Sequence, residues 1–451
     1  MQTSKPQAFR KTDICVIGAG YVGLTSAAGL AALGHRVRVV ETDAERLRIL
    51  ERGELPIVEP GLEQLVEELR IAGRLQFGSE VAAVDGVSVA LLCVGTPPRP
   101  DGDPDLRQLG AAAAEVARHA TSDLLVVVKS TVPPGTCDAI ELVCREEARA
   151  DLRIDVASNP EFLRESRAVE DFMNPDRVVI GTATADAAGR MRDLYPREWP
   201  LLLTDRRSSE LIKYASNTFL AVKISYANEI AALCEHLGAE AGAVLEGVGL
   251  DPRIGSQFLR PGPGFGGSCL GKDLSGLIAV SAGVGLDARV ARAAQEVNGW
   301  ARGRVVDKLE RALGTLDGAR VAILGLAFKP GTDDVRDSPA LDVSAVLRER
   351  GAWVTGFDPL AGRVEVVERF GDPYDAVRDA DAVALLTGWD DFARLDPRRL
   401  AATMAGNVVV DAVGIISADE FEAAGLEVLG VDRGTPAEIH PVILRPLAWT
   451  Q

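Results

Sequence analysis

A nine-residue segment of the chain carries side chains that could do covalent chemistry. Residues 265–273 read Phe-Gly-Gly-Ser-Cys-Leu-Gly-Lys-Asp, so Cys269 follows two glycines and precedes a predicted helix that begins at Leu270. Backbone N–H groups at a helix start, together with the cation of Lys272, favour a thiolate, and the glycines leave room for a substrate. A small buried cysteine at a tight turn is the alternative interpretation. These residues alone leave both interpretations open.

A glycine pattern near the N-terminus could hold phosphates. Residues 18–23 read Gly-Ala-Gly-Tyr-Val-Gly and lie between a predicted strand and a predicted helix. Gly18 permits the tight turn, Gly20 lets the backbone approach a pyrophosphate, and Gly23 allows the helix to pack closely on the strand. The N-terminus of the helix supplies N–H donors and partial positive charge for the phosphates.

An acid about 20 residues further on completes the pattern of a dinucleotide site. The second predicted strand ends at Glu41, whose carboxylate can accept hydrogen bonds from the ribose hydroxyls. A carboxylate at this position repels a 2′-phosphate, which favours NAD over NADP as the cofactor. Asp43 could share this role, or it could cap the next helix.

The elements that must position these groups alternate between strands and helices. Short apolar runs bounded by turn residues predict strands at 14–17, 37–40, 89–94, 124–128 and 154–157. A helix is predicted at 24–33, directly after the glycine turn. Such alternation predicts an α/β fold with a parallel sheet that helices cover on both faces.

The pattern changes in the middle of the chain and then restarts. Apolar residues at helical spacing predict long helices at 209–236 and 290–313. Further strands are predicted at 320–325, 353–358, 382–386 and 408–410. The sequence therefore predicts two Rossmann-like domains, each with a doubly wound parallel sheet, joined by a helical domain. The predicted domains are an NAD-binding domain at 1–207, the helical domain at 208–303 and a third domain at 304–451.

The composition argues against several classes of partner and site. The chain has 451 residues, and its net charge of −17 argues against nucleic acid or an anionic membrane surface as a partner. The six cysteines show no CxxC spacing and the four histidines are scattered, which argues against a disulfide framework or a structural zinc site and favours reduced thiols in the cytoplasm. Five glycines interrupt the uncharged stretch 14–34, which favours a strand, turn and helix over a membrane span.

The cysteine segment is similar to the catalytic loop of the nucleotide-sugar 6-dehydrogenases, the UDP-glucose/GDP-mannose dehydrogenase family. Similar segments occur in the family's order along nearly the whole chain, at 56–62, 94–97, 130–132, 159–165, 174–177, 210–217, 251–255, 325–329 and 332–336. The resemblance implies that the third domain binds a UDP-sugar. It also implies that the helical domain is a dimerisation domain, so that the chain forms a homodimer.

The resemblance also implies a reaction, the oxidation of a sugar C6 alcohol through an aldehyde to a carboxylate with two NAD molecules. Cys269 would attack the aldehyde to give a thiohemiacetal, hydride loss would give a thioester, and water would hydrolyse it. Lys213 and Asn217, four residues apart on one helix face, would stabilise the oxyanions. Asp273 would position water or relay a proton, and Glu161 would act as an acid or base.

The same resemblance assigns the binding residues. Those implied for the cofactor are Gly18, Gly20, Tyr21, Val22, Gly23, Glu41, Thr96, Thr131, Glu165 and Lys272. Those implied for the sugar nucleotide are Glu161, Phe162, Leu163, Arg164, Lys213, Asn217, Arg253, Phe258, Leu259, Phe265, Gly266, Phe328 and Lys329. Thr131 is also an implied catalytic residue, and Arg253 would reach into the active site of the partner subunit.

Several of these residues have a simpler interpretation when the resemblance is set aside. Lys213, Glu161 and Arg253 could be solvated surface charges, and Asp273 could be no more than an ion-pair partner of Lys272.

Two departures from the family pattern bear on the loop and the substrate. Gly271 stands where the family usually has a proline, which changes the stiffness of the loop. Residues 411–414 read Asp-Ala-Val-Gly, without the arginine that many UDP-glucose enzymes carry there, whereas 174–177 and 253–255 resemble those enzymes. UDP-glucose is the expected substrate, with dTDP-glucose or GDP-mannose as alternatives. A two-electron dehydrogenase of the 3-hydroxyacid type and a non-catalytic NAD-binding protein are alternatives of other classes.

Overall fold

The computed structural model describes residues 11–100 and 102–430. The chain divides into two compact units. The first comprises the residues up to Ser216 together with Ser275–Leu286. The second comprises Asn217–Leu274 and the residues from Asp287 onward.

An eight-stranded sheet forms the centre of the first unit. Its strands are β1 (Asp13–Ile17), β2 (Arg36–Val40), β3 (Leu75–Gly78), β4 (Val89–Leu92), β5 (Leu124–Val128), β6 (Ile154–Ser158), β7 (Val178–Thr182) and β8 (Leu201–Thr204). Their spatial order is β3-β2-β1-β4-β5-β6-β7-β8, and every neighbouring pair is parallel except β6 and β7. The first six strands have the doubly wound order in which ligands bind outside the carboxyl ends, where the strand order reverses.

Helices cover both faces of this sheet. They are α1 (Tyr21–Ala32), α2 (Ala44–Glu51), α3 (Leu62–Ile71), α4 (Arg107–His119), α5 (Thr136–Glu147), α6 (Ala168–Met173) and α7 (Ala185–Arg192), with a 3-10 turn at Val81–Val84. The apolar runs become central strands because a parallel sheet is buried on both faces. All five residues of β5 and all four of β4 are buried.

Helix α1 is buried along most of its length because its residues are small and apolar. Gly29 packs against the ring of Phe172 in α6. The uncharged stretch is therefore a strand, a glycine turn and a helix, as predicted. The helix begins at Tyr21 rather than at the predicted Leu24, because Gly20 takes the N-cap position. Within 11–100 and 102–430, the structure contains no helix that is both long and apolar enough to cross a membrane.

Long helices connect the two units. Helix α8 (Arg206–Leu237) begins in the first unit and continues into the second, followed by α9 (Ala241–Gly249), α10 (Leu270–Gly283) and α11 (Arg289–Leu313). The predicted long helices are thereby confirmed. The predicted domain boundaries after residues 207 and 303 fall within α8 and α11, so they remain predictions.

A six-stranded parallel sheet forms the rest of the second unit. Its strands are β9 (Arg320–Leu324), β10 (Trp353–Phe357), β11 (Glu368–Arg369), β12 (Ala382–Leu385), β13 (Val408–Asp411) and β14 (Glu427–Gly430). Its helices are α12 (Pro339–Glu349), α13 (Pro373–Ala376), α14 (Asp390–Ala393), α15 (Pro397–Thr403) and α16 (Ala418–Ala423). The strand order β11-β10-β9-β12-β13-β14 repeats that of the first six strands of the other sheet.

The two sheets also share their first turn. Gly18 follows β1 with φ 100°, and Gly325 follows β9 with φ 95°. Each glycine donates its N–H at 2.8 Å to the last residue of the second strand of its sheet, Val40 or Phe357. Such left-handed positions favour glycine because a side chain would be strained there. The predicted α/β class with two Rossmann-like sheets is confirmed.

The acid that follows the second strand is used differently in the second sheet. Asp358 follows β10 as Glu41 follows β2, and it is fully buried. Its two carboxylate oxygens accept hydrogen bonds from the backbone N–H groups of Leu326, Ala327, Leu360 and Ala361 and from the indole of Trp389.

Candidate active site

Glu41 lies where the dinucleotide turn meets the end of β2. Its buried carboxylate accepts hydrogen bonds from the N–H of Ala19 at 3.0 Å and of Asp43 at 2.9 Å, and Arg46 lies 3.4 Å away. These contacts hold the acid beside the turn. Asp43 caps α2 by accepting from the N–H groups of Glu45 and Arg46. Of the two roles considered for Asp43, the structure shows the cap.

The glycines of the turn divide into packed and open positions. A Cβ on Gly18 would lie 2.9 Å from the carbonyl oxygen of Cys93, and one on Gly23 would overlap the carbonyl of Gly18. Apart from the two chain neighbours of Gly20, no described atom lies within 4 Å of where its Cβ would be. Val22 packs on the core behind the turn. The open side at Gly20 therefore fits the close approach of a pyrophosphate.

Tyr21 connects the turn to the segment that carries Glu165. Its hydroxyl donates to Glu59, whose carboxylate also accepts from the N–H groups of Ser166 and Ala168, both at 2.7 Å. Burial and the Glu59 carboxylate raise the pKa of Tyr21 well above its ordinary value, so the hydroxyl stays a donor. Glu59 was not predicted, and its contacts span segments that are remote in sequence.

Two predicted cofactor residues meet at the carboxyl ends of neighbouring strands. Thr96 follows β4 and Thr131 follows β5, and the Thr96 hydroxyl donates to the Thr131 carbonyl at 3.0 Å. Ser130 adds a second link by donating from its hydroxyl to the carbonyl of Val94 at 2.7 Å. The structure therefore brings the two threonine loops together.

Two predicted catalytic side chains form a buried ion pair in the first unit. Lys213 Nζ lies 3.1 Å from Glu161 Oε1, with side-chain exposures of 4% and 7%. Glu161 also accepts from the N–H of Leu163 at 2.7 Å. Burial opposes ionisation of Glu161, but the Lys213 charge and the Leu163 N–H outweigh it, so the pKa of Glu161 lies below its ordinary value. Neither residue is a surface charge, and Glu161 is an ionised base at neutral pH.

Phe162 lies beside this pair with two cations over its ring. The guanidinium carbon of Arg177 is 3.9 Å and the Lys213 nitrogen 5.3 Å from the ring centroid. Cations over an aromatic face are attracted by the ring quadrupole, which orders this segment. Arg164, also predicted to bind substrate, is exposed and pairs with Asp171 at 2.6 Å.

Asp273 is the centre of a second polar cluster, in the second unit. It is 1% exposed and accepts from the Asn217 amide and from Lys272 Nζ, each at 2.6 Å. Its own N–H donates to the carbonyl of Cys269 at 2.9 Å in the first turn of α10. Asp273 is therefore both an ion-pair partner of Lys272 and a hydrogen-bond partner of Asn217, a predicted catalytic residue.

Cys269 is exposed at the N-terminus of α10, and the other five cysteines, all in described residues, are buried. The Ser268 hydroxyl lies 3.6 Å from its sulfur. Burial raises the pKa of Cys15, Cys93 and Cys144 to about 12, which keeps these thiols protonated. An accessible thiol beside helix N–H groups is the arrangement expected of a nucleophile.

Segment 328–337 packs against the cysteine loop. A Cβ on Gly266 would overlap the carbonyl oxygen of Asp337, and one on Gly267 would lie 2.7 Å from the ring of Phe328. Lys329, the predicted substrate lysine, places Nζ 5.3 Å from that ring centroid. These contacts bring two groups of predicted substrate residues together.

Gly271, at the position where the resemblance implies a proline, lies against a carboxylate. A Cβ on Gly271 would lie 2.7 Å from Oδ2 of Asp337, so this carboxylate occupies the space that a larger residue would need.

Other predicted substrate residues lie apart from these contacts. Arg253 is exposed and forms a hydrogen bond to Asp251 at 2.5 Å. Phe258 has φ 64°, and Leu259 after it is buried.

Two more buried polar residues near the predicted site were not predicted. Lys129 places Nζ 3.1 Å from Oδ1 of Asn159, and burial lowers its pKa to about 8. A lysine directly after the apolar run of β5 was the available signal. Asn298 in α11 forms hydrogen bonds to the backbone of Phe265, and an amide at a buried phase of the helix was the signal there.

Comparisons with known proteins agree with this layout. Family models of the UDP-glucose/GDP-mannose dehydrogenase family match as its NAD binding domain at 12–199, its central domain at 207–300 and its UDP binding domain at 322–418. The UDP-glucose 6-dehydrogenase of Rhizobium meliloti (strain 1021) is 44% identical over 436 residues, which cover 93% of this chain and 99% of that protein. UDP-glucose 6-dehydrogenase TuaD of Bacillus subtilis (strain 168) is 40% identical over 420 residues, 91% of each chain.

A solved structure shows the same fold. A UDP-glucose dehydrogenase from the hyperthermophilic archaeon Pyrobaculum islandicum superposes with a TM-score of 0.89 at 40% identity, covering 96% of this chain and 100% of that one. The NAD binding model matches the unit that contains the Gly18 turn, which confirms NAD as the cofactor. As the sequence motifs predicted, this chain belongs to the UDP-glucose/GDP-mannose dehydrogenase family.

Proposed function

We propose that this protein oxidises UDP-glucose to UDP-glucuronate in two successive hydride transfers to NAD. The exposed Cys269 at the start of α10 is the observation that carries the proposal. Oxidation of an alcohol to an aldehyde needs no nucleophile, whereas oxidation of the aldehyde to an acid proceeds readily through a covalent thiol adduct. Relatives that are 40% identical or more over most of the chain and are named for UDP-glucose support this substrate over dTDP-glucose and GDP-mannose.

The first oxidation uses the buried ion pair. Glu161, ionised at neutral pH, accepts the proton of the C6 hydroxyl, and Lys213 stabilises the developing alkoxide. The open turn at Gly20 and the fixed carboxylate of Glu41 fit NAD, and Thr96 and Thr131 lie at neighbouring strand ends. When bound, NAD accepts the hydride of each oxidation.

The second oxidation uses the cysteine cluster. The Cys269 thiolate adds to the aldehyde carbon to form the oxyanion of a thiohemiacetal. Loss of a hydride from that carbon, as the C–O⁻ bond becomes a C=O bond, gives a thioester. Asp273, held by Asn217 and Lys272, accepts a proton from the water that attacks the thioester. The C–S bond then breaks with the thiolate as leaving group, which releases the carboxylate product and regenerates Cys269.

We also propose the division into an NAD-binding domain at 1–207, a helical dimerisation domain at 208–303 and a UDP-sugar-binding domain at 304–451. Phe219, Tyr226 and Leu233 recur every seven residues along α8 and are 63%, 47% and 53% exposed, so they form an apolar stripe on one side of the helix. Such an exposed stripe fits an interface between two copies of the chain, in which Arg253 would complete the partner's active site. Buried thiols fit a cytoplasmic location.

The product ratio tests this proposal. We expect two NADH per UDP-glucose consumed, and a ratio of one would overturn the two-step oxidation. In a panel of sugar nucleotides at matched concentrations, we expect UDP-glucose to be oxidised faster than dTDP-glucose, GDP-mannose and UDP-N-acetylmannosamine.

Variants of two cysteines test the nucleophile. Cys269→Ser is expected to bind NAD and UDP-glucose but to lose turnover, since a hydroxyl is a far weaker nucleophile. Cys234→Ala, which removes a buried thiol from α8, is the control and is expected to keep turnover. Wild-type turnover of Cys269→Ser would remove Cys269 from the mechanism.

A further inference from the structure

One side chain of α11 holds both backbone groups of a residue in the cysteine segment. Asn298 Oδ1 accepts from the N–H of Phe265 at 2.7 Å, and Asn298 Nδ2 donates to the Phe265 carbonyl at 3.1 Å. The amide therefore pairs with Phe265 as a neighbouring strand would. Asn298 is 7% exposed, so these hydrogen bonds are shielded from water. A hydrogen bond in such a low-dielectric interior is stronger than one in water.

A second side chain on the same face of α11 holds the same carbonyl. Arg302 lies four residues after Asn298 and donates from Nη2 to the Phe265 carbonyl at 2.6 Å. Its Nη1 donates to Oδ1 of Asp337 at 2.9 Å, and the side chain is 12% exposed. A charged donor makes this bond stronger than one between neutral groups. Residues four apart face one side of a helix, so α11 presents both anchors to one residue.

The opposite side of the cysteine segment is also fixed. Gly267 donates its N–H to the carbonyl of Arg336 at 3.0 Å. A Cβ on Gly264 would lie 2.7 Å from Oδ1 of Asn298, so Gly264 allows the close approach of the amide. The segment therefore lies between α11 on one side and segment 336–337 on the other.

Anchors are needed here because the segment is rich in glycine. Residues 266, 267 and 271 of the segment and residue 264 just before it are glycines, which lose more backbone freedom on ordering than any other residue type. Phe265 lies four residues before Cys269, so holding its backbone restricts where the sulfur can lie.

We infer that Asn298 and Arg302 are positioning residues, which hold the Phe265 backbone so that Cys269 is presented to the aldehyde. The inference rests on the proposed function, in which Cys269 is the nucleophile. A small misplacement of a reacting group costs up to about 100-fold in rate. The two anchors therefore act on kcat through Cys269 rather than on the binding of NAD.

Substitutions that keep side-chain size test the inference in the full-length enzyme. Asn298→Asp keeps an acceptor for the Phe265 N–H but places a second oxygen against the Phe265 carbonyl. Arg302→Lys keeps the cation but loses the two-pronged contact with Phe265 and Asp337. Gln295→Ala, an exposed amide three residues before Asn298 on α11, is the matched control.

The measurements are steady-state kinetics and the rate of Cys269 alkylation by iodoacetamide. We expect kcat to fall about 10–100-fold in Asn298→Asp and Arg302→Lys, with a far smaller change in the KM for NAD. We expect alkylation of Cys269 at neutral pH to slow in both variants and to match wild type in Gln295→Ala. Thermal unfolding of each variant identifies the folded fraction to which these rates are normalised.

Two results would overturn the inference. One is wild-type kcat and alkylation in Asn298→Asp and Arg302→Lys. The other is lost activity that follows lost stability alone, with alkylation of the folded fraction unchanged. Failure of the proposed function is a separate result, because it appears in the wild-type enzyme as one NADH per UDP-glucose or as no oxidation of UDP-glucose.

Discussion

The Lys213 ammonium and the Glu161 carboxylate are 3.1 Å apart in the interior of the first unit, and each is the other's charge partner. Glu161 lies just beyond the carboxyl end of β6, and Lys213 lies in the second turn of α8. A buried charge without its partner is far more costly than an exposed one. The pair therefore ties the start of α8 to the ligand-binding edge of the first sheet.

Removing one member of this pair is expected to cost more than removing both. We expect Lys213→Met to lower the free energy of unfolding by about 3–5 kcal/mol, because the buried Glu161 carboxylate loses its nearest cation. The double variant Lys213→Met, Glu161→Gln is expected to recover part of that loss while remaining inactive. Denaturant unfolding measures all three proteins. The control is Lys223→Met, which removes a lysine nearer the surface from the same helix. Equal stability of Lys213→Met and Lys223→Met would contradict the prediction.

The carboxylate at the end of β2 is expected to select the cofactor. We expect Glu41→Ser to raise the KM for NAD about 10-fold and to narrow the preference for NAD over NADP, because the ribose acceptor and the repelling charge are both lost. Asp43→Asn is the matched control, since Asp43 caps α2 and has no described contact with the turn glycines. Steady-state kinetics with both cofactors measures the preference, and equal effects of the two substitutions would refute this assignment.

Replacement of glycine by alanine is expected to lower activity at Gly266 and to raise stability at Gly299. Gly266→Ala places a Cβ on the carbonyl of Asp337, so we expect it to displace the cysteine loop and lower kcat at least 10-fold, about the cost of a misplaced reacting group. Gly299→Ala lies in α11, and apart from its chain neighbours and the backbone of this helix no described atom lies within 4 Å of the new Cβ. We therefore expect it to raise the free energy of unfolding by up to about 1 kcal/mol. Activity assays and thermal unfolding of both variants test the contrast. Wild-type activity in Gly266→Ala would show that the loop yields.

Titration of Lys129 is expected to make the free energy of unfolding change with pH in the alkaline range. Burial lowers its pKa from 10.5 to about 8, so between these values the unfolded chain binds a proton that the folded chain lacks. The free energy of unfolding therefore gains a contribution that rises from about pH 8 to 10.5, and Lys129→Met lacks it. We expect wild type to gain stability relative to Lys129→Met over this range, as measured by denaturant unfolding. A difference that does not change with pH would contradict the prediction.

Subunit mixing is expected to test the role of Arg253. If Arg253 completes the active site of the partner subunit, Cys269→Ala and Arg253→Ala are each inactive as homodimers. A mixed dimer then has one site with both residues intact, so we expect up to about half of wild-type activity per mixed dimer. Native mass spectrometry counts the mixed dimers and an NADH assay measures them. Mixed dimers without activity would assign Arg253 to the active site of its own subunit.

Sequence periodicity was sufficient to predict the elements that place these groups. The apolar run of β5 and the helical spacing of apolar residues along α8 are patterns between residues that are close in sequence. Both can therefore be recognised from the sequence alone. The glycine turn was predicted for the same reason, because its spacing expresses a local backbone requirement. The cysteine segment was found by its residue types and by resemblance.

Contacts between segments that are remote in sequence could not be predicted in this way. Asn298 lies 33 residues from Phe265, and Glu59 lies 38 residues from Tyr21. No local pattern links the members of either pair. Lys213 is the same kind of case, because its charge partner Glu161 follows β6, a strand remote from α8 in sequence. The helices and strands can therefore be predicted from local sequence patterns. The polar contacts of the site depend on which segments the fold brings together.

The acid after β10 has a consequence for a chain that builds the same sheet twice. A carboxylate offers roughly four lone-pair sites, and the five protein donors around Asp358 occupy its oxygens fully. Glu41 is held by fewer contacts and keeps acceptor capacity for a ribose. The turn after β9 therefore presents no free carboxylate to an adenosine ribose, and NAD has no equivalent binding site there. Duplicated architecture is thus compatible with a strict division between two nucleotides, because one acid is reserved for the protein itself.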